Sequence, residues 1–426
     1  MNNTFKLIIV TLSMSYFTYA QKMLPDVKPY QYTSVIKSGP KTGLMGTGVQ
    51  INRYIAKKIA KAKKGDTIRF ATYILEYTSR TKYFYDALKT ALRNGARVEI
   101  ITEGKNTSLD DLINGDLWDV RYDRTMKFLY GTDSNIKGIT KEYKRHKNSF
   151  KLYEVYKSGA ETKRFNSTYH RKVFLLDISN KREIVISSSN IRHTGEREWQ
   201  TAIALDGDIY DSQWRWWNDV LDTDICFSKG NRNCLLGNGG YEANHEGSTT
   251  SYIIDKRSRK WTQIMVSWLR LMKYKKGCGL RILMGHIDSK EVLAEVARIA
   301  KDGCKVDLIY SIEHLKMYPD ENEKTTTPLS YVKKYHNAAY KTGRLEIEQQ
   351  KGVHAKLILW QGNWSRYTNA KSYIWTGAHN AMLRAEYNDD ESMIRIEDSK
   401  IFKGFWNFFQ CVEFDGHPSS CSKKYY

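Results

Sequence analysis

The sequence predicts an α/β protein of two similar lobes related by a pseudo-twofold axis, each a mixed, mostly parallel sheet flanked by helices. Three observations carry this expectation. Residues 91–101, ALRNGARVEII, recur in kind at 299–309, IAKDGCKVDLI. Around each copy the apolar pattern runs strand, helix, strand, the spacing of a right-handed crossover between parallel strands. Between the copies, residues 228–250 are rich in Gly, Asn and Ser, which suits a connection.

The elements follow in chain order. Lys6, the apolar run from Leu7 to Met14 and Thr18-Tyr19-Ala20 have the layout of a secretory leader, so residues 1–20 are expected to be removed. The apolar run is too short to span a bilayer. In the first lobe, 21–225, an amphipathic helix is expected around Asn52 to Lys63 and a strand over Thr67 to Leu75. A second helix then ends at Gly95, the residue type that tolerates the left-handed conformation after a last turn. Residues 226–249 read as a linker. The second lobe, 250–426, repeats the order: a helix around Arg259 to Lys273, a strand over Leu280 to Met284, and a helix ending at Gly303.

Composition narrows the class. At 426 residues and 41% hydrophobic content, the chain can bury a sizeable core. Sixty-eight Lys and Arg against 47 Asp and Glu give a formal charge of +21, or +20 once Lys6 leaves with the leader. Such a surface attracts polyanions: nucleic acid, anionic lipid headgroups or a phosphorylated substrate. Basic runs at Lys57 to Lys64 and Lys137 to Lys157 could border such a site or simply be solvated. Six cysteines lie in the second half without a C-x-x-C pair, which favours disulfides in an oxidising compartment over zinc. Local pairing gives 226–234, 278–304 and 411–421. Sequons stand at Asn106, Asn166 and Asn363. The tryptophans of DSQWRWWND, Trp214, Trp216 and Trp217, are expected to pack a helix onto its sheet. No HExxH spacing, P-loop or placed GxGxxG occurs, so no metal and no cofactor is expected.

Each half carries one constellation late in its course. His170-Arg171-Lys172 precedes VFLLD, and His354-Ala355-Lys356 precedes LILWQ. Alternation along a strand puts each His and its Lys on one side. A second strand in each half then ends in a small polar turn, Ser187-Ser188-Ser189-Asn190 and Gly377-Ala378-His379-Asn380. Imidazole serves as nucleophile, base or acid near neutral pH, and lysine and asparagine donate to phosphate oxygens. One such set occurs easily by chance. Two sets inside a repeat point to one shared phosphate site.

On these residues the chain resembles the phospholipase D superfamily, whose pattern HxKxxxxD followed by GSxN occurs twice per site. YHRKVFLLD fits fully with His170, Lys172 and Asp177, and SSSN keeps Ser188 and Asn190. VHAKLILWQ keeps His354 and Lys356 but has Gln361 for the Asp, and GAHN keeps Gly377 and Asn380 but has Ala378 for the Ser. WTGAHN and Asn388-Asp389-Asp390-Glu391 look like the corresponding segments of secreted two-motif members.

The resemblance implies a metal-independent phosphodiesterase acting through a phosphohistidine, with His170 as nucleophile and His354 as general acid/base. The reverse assignment fits the sequence nearly as well. Lys172, Lys356, Asn190 and Asn380 would hold the phosphate, with Ser188 as a further substrate contact. Glu198, Glu391 and Asp177 would orient the imidazoles. Both motifs lie on one chain, so a secreted monomer is expected. Its substrate would be a phospholipid headgroup ester or, alternatively, a DNA or RNA phosphodiester. Gln361 and Ala378 leave room for a third reading, a degenerate anion-binding member.

Overall fold

The computed structural model describes residues 33–75, 80–103, 149–155, 168–192, 198–231, 233–234, 240–255, 263–311, 327–365, 367–382, 385 and 389–415. The leader, the sequons Asn106 and Asn166, Cys421 and most of the basic stretch 137–157 lie outside them.

The first half opens on a hairpin, β1 (Thr33–Ser38) and β2 (Lys41–Thr47), followed by helix α1 (Gly48–Ile59). Ile51, Ile55 and Ile59 recur four apart in α1 and are fully buried, so the helix forms where its apolar stripe can be covered. Strand β3 (Thr67–Thr72), helix α2 (Lys82–Arg93) and strand β4 (Arg97–Glu103) make the expected crossover. Gly95 ends α2 at φ +86°. Strands β5 (Phe150–Val155), β6 (Thr168–Tyr169), β7 (Val173–Ile178), β8 (Lys181–Ser187) and β9 (Trp199–Asp206) follow, then helix α3 (Asp211–Ser228).

The second half repeats this order. Strands β10 (Gly240–Glu246) and β11 (Thr249–Asp255) lead to helix α4 (Ile264–Leu271) and the short β12 (Met272–Lys273). The crossover is β13 (Gly279–Met284), α5 (Lys290–Lys301) and β14 (Lys305–Ser311). Ser289 caps α5 by accepting from the Val292 amide, and Gly303 ends it at φ +113°. Helices α6 (Pro328–Tyr335) and α7 (Asn337–Tyr340) precede β15 (Leu345–Gln350), β16 (Lys356–Trp364), β17 (Tyr367–Gly377), β18 (Asp389–Glu397) and α8 (Ser399–Asp415).

The strand orders are the same in both halves: β1-β2-β9-β8-β7-β3-β4-β5 and β10-β11-β18-β17-β16-β13-β14-β15. The mixed α/β architecture with two like sheets is therefore as expected. The balance of strand directions is not. Along these two orders β3–β4–β5 and β13–β14–β15 pair in parallel and the remaining neighbours are antiparallel. The reason is connection length: a two-residue link such as Ser179-Asn180, both at positive φ, can only reverse the chain. The expected linker also differs. Residues 226–228 complete α3, and 240–246 form an edge strand of the second sheet.

Helices α1 and α2 cover the outer face of the first sheet, and α4 and α5 that of the second. Between the sheets, Trp217 and Leu221 of α3 and Phe405, Phe408 and Phe409 of α8 join one core with Ile203 of β9 and Leu357 of β16. Trp217 is fully buried and donates to Ser251 Oγ of β11 at 3.1 Å, so the tryptophan cluster packs as expected. Burial of each such aromatic contributes about 1.5–3 kcal/mol. Cys226 pairs with Cys234 and Cys278 with Cys304, with Cα separations of 5.8 and 4.9 Å. Cys411 is also disulfide-bonded. Among the described residues no helix is long and apolar enough to cross a membrane.

Candidate active site

Both motifs lie at the seam between the sheets. β6 pairs in parallel with the start of β18, and the His170 amide donates to the Asp390 carbonyl at 2.9 Å. In the mirror arrangement the His354 amide donates to the Trp199 carbonyl at 3.1 Å. The backbone of each motif histidine is thus stitched to the last strand of the other sheet. Both rings are nearly buried, 7% and 9% exposed, and burial first, then the field of shared cations, lowers the basicity of each.

The register makes residues of the two halves correspond. Asp390 stands to His170 as Trp199 stands to His354, so the next residues, Glu391 and Gln200, are equivalent. Each reaches the imidazole of the opposite half. Both Glu391 oxygens face His170 Nδ1, at 2.9 and 3.0 Å. An ionised carboxylate accepts the Nδ1 proton and leaves a lone pair on Nε2. Gln200 places its Nε2 2.9 Å and its Oε1 3.2 Å from His354 Nδ1. Its amide orientation follows from its other neighbours. Ser188 Oγ donates to Oε1 at 2.6 Å, and Gln200 Nε2 donates to Glu198 Oε2 at 3.2 Å.

The lysines lie beneath the rings. Lys172 and Lys356 are fully buried and donate to the carbonyls of their own histidines, at 3.0 and 2.6 Å. Burial pushes the Lys172 ammonium down to about 7. Burial, then the Lys172 charge, pushes Lys356 well below its ordinary value. Burial lowers His170 and His354 as well, reinforced chiefly by Lys172 and by Lys356 respectively, so both rings are held neutral. Burial raises Glu391 well above the usual carboxylate range, against the pull of Lys172. Asn190 and Asn380 follow β8 and β17, and their side-chain oxygens are buried without a hydrogen-bond partner. Asn52 of α1 holds the Asn190 carbonyl at 3.0 Å. The site therefore gathers two imidazoles, two buried lysines and two amides, a set suited to a phosphate.

Three expectations on individual residues change. Glu198 does not orient an imidazole directly. Its oxygens take Arg192 Nη2 at 2.8 and 3.0 Å, while His354 Nδ1 lies 3.8 Å away behind Gln200. Asp177 does not reach the imidazoles either: it pairs with Thr67 at the start of β3, about 17 Å along the strand from Lys172. Ser188 is fully buried and is spent on Gln200 and the Thr201 amide, so it positions Gln200 rather than touching a substrate.

Sequence reasoning missed Gln200, Arg192 and Tyr73. Gln200 was readable from spacing, since it lies ten residues after Asn190 as Glu391 lies eleven after Asn380. Arg192 adds a cation that both imidazoles feel. The Tyr73 ring sits 5.0 Å from that of His170 and 5.7 Å from Lys172 Nζ. Neither Arg192 nor Tyr73 belongs to a repeated pattern that would mark it. Among the described residues, the acidic group compact enough for a metal is Asp307, Glu346 and Glu413. Asp307 there is ion-paired with Arg281 at 3.0 Å, near the start of β14 and away from the imidazoles.

Fold and site together define a two-lobed protein in which paired His-x-Lys motifs from a duplicated half meet at one seam. The family described as cardiolipin synthase, phospholipase D-like domain, matches residues 55–208 and 278–412, and the chain belongs to this family within the phospholipase D superfamily, whose members process phosphodiesters. No curated protein matches the sequence.

Solved structures resemble the fold at low identity. Polyphosphate kinase from Porphyromonas gingivalis is 12% identical at TM-score 0.50, over 85% of this chain and 46% of that one. The chain thus spans less than half the length of that kinase. Phosphatidylserine synthase from Haemophilus influenzae is 13% identical at TM-score 0.60, over 91% and 90% of the two chains. A mutant of yeast tyrosyl-DNA phosphodiesterase is 11% identical at TM-score 0.42, over 87% and 88%.

Proposed function

We propose that the protein is a secreted, metal-independent phosphodiesterase that hydrolyses or transfers phospholipid headgroups through a phosphohistidine. The observation that carries this reading is the unequal pairing of the two imidazoles across the seam. Glu391 leaves His170 with a lone pair on Nε2, which makes it the nucleophile. Gln200 offers His354 Nδ1 an amide and no carboxylate, so that ring is not fixed in one protonation state; with a phosphate anion bound to offset the nearby cations, His354 takes the proton that it gives the leaving oxygen and later activates water. Lys172, Lys356, Arg192 and the two asparagine amides supply the positive field for the phosphoryl oxygens, a task otherwise left to a metal. Both motifs lie on one chain, so a monomer completes the site. The leader-like start and the disulfides support secretion.

The likeness to phosphatidylserine synthase over nearly the whole of both chains favours a lipid substrate. A second reading, cleavage of DNA or RNA, is favoured by the +21 charge, since neutralised phosphates bind strongly at low salt. The test is a panel in EDTA: phosphatidylcholine and phosphatidylglycerol vesicles beside single- and double-stranded DNA. Headgroup release supports the lipid reading, and DNA degradation supports the other. Binding without turnover of any substrate would mean a degenerate anion binder. Activity lost in EDTA and regained with zinc would overturn the metal-free mechanism. His170→Ala should abolish turnover and acid-labile phosphoenzyme together.

A further inference from the structure

Strand register makes the parallel corners of the two sheets comparable residue by residue. Arg69 pairs with Glu99 and Glu99 with Lys151; Arg281 pairs with Asp307 and Asp307 with Glu346. Two residues on, Tyr153 stands opposite Ile101 as Glu348 stands opposite Ile309. The first half thus carries Lys151 and Tyr153 where the second carries Glu346 and Glu348. Alternation puts these side chains on the same face as Ile101 and Ile309, which belong to the core between the sheets.

The cover over this corner differs too. In the second half the Trp406 ring of α8 lies over the Arg281 guanidinium, 3.1 Å from ring centre to the central carbon. In the first half Arg69 meets Asn218 at 2.6 Å and Asp222, both of α3, and a hollow of about 380 Å³ stays open between α3 and strands β3, β4 and β5. That volume lies in the range of small-ligand sites. Thr67, which lines the hollow, pairs with Asp177, about 17 Å along β7 from Lys172, so the hollow is remote from the paired histidines.

Charge decides what the hollow would take. Its lining sets four cations, Arg69, Arg97, Lys151 and Lys229, against two carboxylates, Glu99 and Asp222. Glu99 is buried and accepts from Arg69 Nε at 2.8 Å and Arg97 Nε at 3.1 Å. Lys151 Nζ stands 4.0 Å from the same carboxylate, and Lys229 Nζ lies 5.6 Å from the centre of the Tyr153 ring. Two positive charges are left over, with the Tyr153 phenol beside them as a further donor. In the second half the balance is reversed, with Arg281 and Lys305 among Asp307, Glu346, Glu348 and Glu413. The same corner of a duplicated fold therefore carries opposite signs, so the fold does not impose the basic one.

We propose that this hollow is a second binding site, apart from the paired histidines, for the dianion of a phosphate monoester. A charge near −2 at neutral pH matches the two surplus ammonium groups, and the phosphate oxygens accept from them and from the phenol. Calorimetric titration of the full chain with glycerol 3-phosphate counts the sites. A Lys151→Glu/Lys229→Glu variant should bind one equivalent fewer than the parent, whatever the paired histidines bind. Both lysines are exposed, so the variant should fold, which circular dichroism checks. A Lys57→Glu/Lys61→Glu variant makes the same charge change on and just after α1, at exposed positions away from the hollow, and should keep the parent's number. Dihexanoyl phosphatidate, titrated in the same way, distinguishes the source. An extra equivalent with glycerol 3-phosphate alone assigns the hollow to free phosphomonoesters, and one with both extends it to a lipid headgroup phosphate. Equal numbers for the parent and Lys151→Glu/Lys229→Glu overturn the proposal. So does an equal loss in Lys57→Glu/Lys61→Glu, which would mean diffuse attraction by the basic surface.

Discussion

Glu391 and Gln200 occupy one register position in the two halves, yet they ask opposite things of the ring each one touches. That difference predicts the pH dependence. Lys172 must be charged to hold a phosphate, and burial lowers it to about 7, so kcat/KM should fall as pH rises through about 7. Lys172→Arg should remove the Lys172 contribution to that alkaline limb and leave the part set by Lys356, which burial also lowers. Glu391 must be ionised to accept from His170, and burial raises it, so activity should also fall as pH drops through a value above the ordinary carboxylate range. Glu391→Gln should erase the acid limb and cost about 100-fold or more in kcat/KM. A pH–rate profile of Glu391→Gln with the acid limb unmoved would remove Glu391 from the account.

At the scale of elements, the turns that follow β8 and β17 fix where the asparagines stand. Gly377 ends β17 at φ +153°, and a Cβ there would lie 2.3 Å from the Ser392 carbonyl oxygen of β18. Gly377→Ala must move one strand off the other, and should cost about 2–4 kcal/mol by overpacking and a disfavoured backbone. Gly39 also has positive φ, but nothing lies within 4 Å of its would-be Cβ, so Gly39→Ala should cost only about 1 kcal/mol. Urea denaturation of both variants checks the contrast, and equal losses would contradict it. The crossovers were legible in the sequence because the helix stripes and the glycines that stop them are local. Strand direction turns on links such as Ser179-Asn180, whose two residues at positive φ reverse the chain. The motif implies a site role for Asp177, although four residues of strand separate it from Lys172.

At the scale of the molecule, the two sheets share one core, and a buried arginine bridges them. Arg171 is fully buried. Its Nε meets Asp224 of α3 at 3.1 Å, and its Nη1 donates to the Glu391 carbonyl of the second sheet at 2.8 Å. Tyr169 donates to the same Asp224 at 2.8 Å. Arg171→Ala leaves Asp224 without its cation and frees the backbone that aims Glu391. The expected loss is about 3–5 kcal/mol, with kcat falling even in conditions where the variant is folded. Phe408→Ala should cost about 3–5 kcal/mol by leaving a cavity against both sheets. Circular dichroism and tryptophan fluorescence should then report one coincident unfolding transition. Two separated transitions would show that the halves do not depend on a common core.

The sequence by itself determined the duplication, the crossovers, the local disulfides 226–234 and 278–304 and the His-x-Lys and Asn positions, because each is written in short spacings that a chain obeys wherever it goes. Only the tertiary structure decided which acid or amide meets which imidazole. Those partners sit on the opposite half, 221 residues from His170 and 154 from His354, and the contact is set by how two sheets close on a shared core. The spacing from Asn190 marks Gln200 as the counterpart of Glu391, but no local pattern encodes the closure that brings it to His354, and that closure alone separates the roles of Ser188 and Glu198 from direct contact with substrate or imidazole.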